Sequence, residues 1–110
     1  MITEERVHKN FDFLNENSLK GAEARANRLY LEAFEKHLIA KLKADSNEKT
    51  DAAKTTHALQ HPDYLIHLEG YKEAVKRDEW YRWKKESLLA ECEVFRTLES
   101  SKKTLVRAAT

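Results

Sequence analysis

The chain has 110 residues, 35% of them charged, yet the formal net charge is only +1. That length allows one domain with a modest core. The near-cancelling charges argue against a polycation that coats nucleic acid and against an acidic mimic of DNA.

Ala, Glu, Lys, Leu and Arg make up 60 of the residues, a composition typical of long helices or coiled coils. Cys92 is the single cysteine, so no internal disulfide can form and a reducing, cytoplasmic setting is expected. No apolar run is long enough to span a bilayer, and the first residues lack the apolar stretch of a signal peptide. A soluble all-α protein follows, read as one domain over residues 1–110.

In chain order, a short helix is expected over 3–14. Thr3 can cap it, Glu4 and Glu5 suit its first turn, and Ile2 can staple onto Val7. Asn15-Glu16-Asn17-Ser18 reads as a break, with Ser18 as the next N-cap. A second helix is expected over 18–44. Ala24, Leu31, Phe34, Leu38 and Leu42 fall on one side of it, and Ala22, Ala26, Leu29, Ala33 and Ala40 roughly opposite. Lys20, Arg25, Arg28, Lys36, Lys41 and Lys43 give this helix a basic bias, read first as a solvated face.

Residues 48–60 predict a weak helix with Leu59 as the main apolar residue. His61-Pro62-Asp63 marks a firm boundary, because proline suits the first position of a helix and Asp63 suits its dipole. A long C-terminal helix then spans about 62–103, with a frayed tail from Thr104 to Thr110. Tyr64, Leu68, Tyr71 and Val75 form its first stripe; Leu88, Phe95 and Leu98 form a second, about 150° away on a straight helix. Pairs Glu73–Arg77, Asp78–Arg82 and Glu99–Lys103 have the spacing for local ion pairs. Gly70 is expected to permit close packing or a slight bend.

Forty helical residues at about 1.5 Å each make roughly 60 Å, far beyond a compact globule of this size, whose radius of gyration is about 13 Å. The expected architecture is therefore an elongated helical hairpin or bundle, completed by oligomerisation. A two-fold dimer is favoured, with Leu88, Cys92, Phe95 and Leu98 at the oligomer interface.

Among the residues that could carry chemistry, Lys72, Lys76, Trp80 and Trp83 share one helical face, flanked by Arg77 and Lys84. Interleaved cations and indoles can stack bases and track phosphates on single-stranded nucleic acid. The plainer account buries the indoles at a helix–helix contact with lysine stems lying over them. Either way this face is the expected partner-binding site. His57, His61, Asp63 and His67 gather near Pro62, but proline biases His61 out of helical geometry and no HExxH pattern or cysteine pair accompanies them. No metal site, catalytic residue or cofactor is expected. Cys92 reads as a structural thiol.

Tyr30-Leu31-Glu32-x-Phe34, then His61-Pro62-Asp63-Tyr64, Arg82-Trp83, Glu93-Val94-Phe95-Arg96 and Ser100-Ser101 together resemble small helical proteins of tailed bacteriophages and prophages. The resemblance covers most of residues 19–107. It implies genomic company among genes for DNA recombination and replication, and transfers no catalytic residue. The expected function is non-enzymatic interaction with another protein, the alternative being single-stranded nucleic-acid binding through the Lys/Arg/Trp face.

Overall fold

The computed structural model describes residues 2–109. They form three α-helices, α1 (Glu4–Ala44), α2 (Asp51–Gln60) and α3 (Pro62–Ala109), with no strand among the described residues. The all-α class and the long C-terminal helix are as expected.

The expected break at Asn15–Ser18 is corrected: α1 runs through it. Asn17 donates its side-chain amide to the Phe13 carbonyl at 2.9 Å, and the Ser18 hydroxyl donates to the Asn15 carbonyl at 3.2 Å. Both polar groups are satisfied by the helix's own backbone, so they have no need to interrupt it. Thr3 is the cap the sequence suggests, its hydroxyl accepting from the Arg6 N–H at 3.2 Å. At the far end α3 continues to Ala109, so the expected frayed tail is helical through that residue. Thr110 and Met1 lie outside the described residues.

The chain divides into two compact units, residues 1–21 with 80–110, and residues 22–79. In the second unit α1, α2 and α3 meet at a small apolar cluster of Leu38, Leu42 and Ala58, against which Phe34, Ile39 and Tyr64 pack. The row Ala24, Leu31, Phe34, Leu38 and Leu42 faces inward as expected, whereas the alanine-rich row with Leu29 is exposed. Helix α2 is capped by Thr50, whose hydroxyl accepts from the Ala53 N–H at 3.1 Å. Lys43 ties it to α1 through Asp51 at 2.8 Å. Its contribution to the core is Ala58, fully buried, and Leu59 faces out; a small residue lets the short helix approach closely. His61 sits in extended geometry before Pro62, and its Nδ1 accepts from the Asp63 N–H at 3.0 Å.

The two-stripe reading of α3 is also corrected. In the second unit the most inward residues are Tyr64, His67, Tyr71, Ala74 and Asp78; in the first they are Tyr81, Leu88, Cys92, Phe95 and Glu99. All lie on one series of alternating three- and four-residue steps. On a straight helix such a series drifts about 20° per heptad. Between the stripes this drift makes about 70°, roughly half of the apparent rotation; the rest comes from counting Leu68 and Leu98, both exposed, which lie off the series on opposite sides. Asp78 turns to Arg28 rather than Arg82, and Glu99 meets Lys102 rather than Lys103.

Gly70 has no atom within 4 Å of where a Cβ would stand, so nothing in this chain packs closely against it. Gly70→Ala is expected to raise stability by about 0.5–1 kcal/mol, because it removes backbone freedom from the unfolded chain without meeting a neighbour. Urea unfolding would show this as a higher midpoint at unchanged slope. The close approach lies instead at Gly21, where a Cβ would touch the Tyr81 side chain at 3.7 Å.

Candidate interaction surface

In the first unit, the N-terminal part of α1 runs antiparallel to the C-terminal part of α3. The contact is polar at its heart. Asn10, only 5% exposed, donates to the Leu88 carbonyl at 3.3 Å and to Glu91 Oε2 at 2.9 Å. Arg6 grips the same carboxylate with two hydrogen bonds of 2.8 Å. Leu88 itself is only 6% exposed within the single chain, so its expected place at an oligomer interface is corrected. Cys92 and Phe95 are half-buried along the same seam, and Leu98 is exposed.

These bonds shift Glu91. Hydrogen bonds from Arg6, then from Asn10, hold its carboxyl at about 2, below an ordinary value of 4.5. A carboxyl depressed on folding adds stability that is complete above its unfolded value and vanishes as pH falls through its folded value. The Glu91 contribution should thus be full above about pH 4.5 and fade toward pH 2. Thermal unfolding of the native chain and of Glu91→Gln should show two midpoints that converge over that window.

Around this seam the aromatic residues lie open. Trp80 stands perpendicular to Tyr81 with ring centroids 4.9 Å apart, and tilts against Phe13 at 6.2 Å. It is still 53% exposed, and Trp83 is 69% exposed. Neither indole is buried by a helix–helix contact of this chain. Lys84 places its ammonium 5.6 Å from the centre of the Phe13 ring, a cation–π contact. Phe13 is the member of this cluster that sequence reasoning missed. On the helix Phe13 lies off the row of Val7, Phe11 and Leu14, and only the antiparallel pairing brings it to Trp80 and Lys84. Arg82 pairs with Glu86 at 3.6 Å beside them.

Of the expected site, Lys72, Lys76 and Arg77 belong to the second unit, where all three are exposed. That unit spends other charges internally. Arg28, part of the basic bias of α1, reaches Asp78 at 3.1 Å and Glu79 at 2.8 Å. Tyr64 donates to Glu35 at 3.0 Å and Tyr71 to Glu32 at 2.8 Å, and these carboxylates push both phenols above their ordinary value. His67 is buried, within ring-stacking distance of Phe34, Tyr64 and Tyr71. It packs in the aromatic core and is not grouped with His57 and His61. Among the described residues no three or more His, Cys, Asp or Glu are placed to hold a metal ion. None of the described helices is long and apolar enough to cross a membrane.

No family model matches the sequence, and neither the curated proteins nor the solved structures give a significant match.

Proposed function

We propose that this chain is a non-enzymatic docking protein that works as a homo-oligomer, a dimer being favoured, and binds another protein through Trp80, Trp83 and Lys84. The observation that carries the reading is the exposure of both indoles, at 53% and 69%. Large aromatic side chains left in water are the usual anchors of protein interfaces. Lys84 supplies a cation beside them that can steer an acidic partner. The three- and four-residue spacing of the seam supports a coiled-coil character for the helices. The resemblance to phage and prophage proteins makes a DNA recombination or replication protein of the cytoplasm the first partner class to test.

A photo-crosslinking amino acid at position 83, introduced in infected or lysogenic cells, tests this. The reading expects one discrete crosslinked protein, lost when Trp80→Ala is added and not obtained from the exposed control position Lys49. Equal labelling from both positions would contradict it. The same face carries the alternative, binding of single-stranded nucleic acid, favoured by Arg82, Lys84 and Lys85 surrounding the indoles. A labelled oligonucleotide should show no shift if the partner is a protein. A shift that weakens steeply with salt would replace the protein reading by the nucleic-acid one.

A further inference from the structure

Different interactions close the two compact units. In residues 22–79 three helices bury Ala24, Leu38, Leu42, Ala58 and Ala74. In residues 1–21 with 80–110 two helices bury one apolar side chain among those described, Leu88. Phe13, Leu14, Tyr81, Cys92 and Phe95 are only half-buried there. The remaining ties of this pair are polar: Asn10 on the Leu88 carbonyl and on Glu91, and Arg6 on Glu91. The Arg6 side chain is itself 56% exposed. Such bonds replace bonds to water at small net gain, so less holds this pair shut than holds the other unit.

The segment of α1 that covers α3 here is also a poor helix by itself. Asn10 to Ser18 reads Asn-Phe-Asp-Phe-Leu-Asn-Glu-Asn-Ser, and its asparagines, aspartate, serine and phenylalanines are all weak helix formers. Gly21, backed onto Tyr81 at 3.7 Å, adds a further weak position at the end of the unit. A short isolated helix of this composition is unstable in water. These residues are helical because α3 lies against them, so contact and helix are lost together.

From this we infer that residues 4–21 form a releasable strap, which leaves α3 and melts in one step while residues 22–79 stay folded. Release uncovers Tyr81 and Leu88, removes the Phe13 ring from Trp80 and frees Lys84 from the same ring. The strap is thereby a lid on part of the indole face. That use rests on the docking reading above; the release itself does not.

Hydrogen exchange of the intact chain, followed residue by residue with no partner present, tests it together with the reaction of Cys92 with a thiol reagent. Residues 7–21 should exchange through an opening populated at least about tenfold more than the one that exposes residues 34–42. Asn10→Ala removes hydrogen bonds to a charged group, so it should speed exchange of 7–21 by about ten- to a hundredfold. It should also speed the reaction of Cys92, on the α3 side of the seam, and leave residues 34–42 and 64–78 unchanged. One common opening for both units, in the native chain or in Asn10→Ala, would overturn the strap. Faster exchange of 7–21 with Cys92 unmoved would show fraying of a helix end without release, and would overturn it equally. Neither readout uses a partner: a failed crosslink at position 83 leaves the strap standing, and a chain without a strap leaves the docking reading standing.

Discussion

Leu42→Ala is expected to cost about 2–5 kcal/mol of folding stability, the range for deleting a leucine side chain from a core that cannot close over the space. Leu42 is 4% exposed, and it meets Leu38 and the fully buried Ala58 where α1 and α2 come together. Substitutes are scarce. The buried apolar residues among those described are Ala24, Leu38, Leu42, Ala58, Ala74 and Leu88, of which half are alanines. Against a total of about 5–15 kcal/mol for a domain, one such cavity is a large fraction. Leu98→Ala, at an exposed position, should change the stability of the single chain by no more than about 0.5 kcal/mol. Urea denaturation of both variants gives the comparison.

The second large effect is expected at Arg28. Its guanidinium reaches Asp78, whose side chain is 7% exposed, and Glu79, and the two carboxylates hold it firmly protonated, well above its ordinary value. Arg28→Ala leaves the Asp78 carboxylate in its buried place without a cation, and removal of one partner is the costly way to break an enclosed pair. The thermal midpoint should fall clearly, and by more than for Arg96→Ala, which loses only an exposed pair with Glu93. Replacing both members together, Arg28→Met with Asp78→Leu, should recover most of the loss, because neither charge is then left alone. A double variant no better than Arg28→Ala would show that the pair acts through something besides its charges.

These two sites show which parts of the structure could be read from the sequence. The inward row of α1, the Pro62 boundary and the long final helix were all legible, because each is written in apolar spacing or in backbone chemistry. The seam residues Asn10, Arg28, His67 and Asp78 were not. A search for apolar periodicity discards polar residues, and here polar residues occupy much of the buried line. With them left out and the exposed Leu68 and Leu98 counted in, the two stripes looked further apart than the drift of one heptad series makes them. Asn15 to Ser18 misled for a related reason: residues that favour turns were satisfied by carbonyls of the preceding helical turn. Ala58 was overlooked for Leu59 because size was taken as the sign of burial, whereas a short helix packs closest through its smallest side chain.

The expected aromatic–basic face was legible in its composition but not in its surroundings. Trp80, Trp83 and Lys84 stand at the surface, and Phe13, distant in sequence, supplies the ring on which Lys84 rests. Leu88, expected at an intermolecular contact, is buried within the single chain. Val94, Leu98 and Leu105 remain open beside it.

Sedimentation equilibrium of the intact chain over a wide concentration range bears most directly on whether this helical surface is made for company. A mass near twice 12.9 kDa, decreasing only on strong dilution, is the predicted outcome. A value of one chain at every concentration would contradict it.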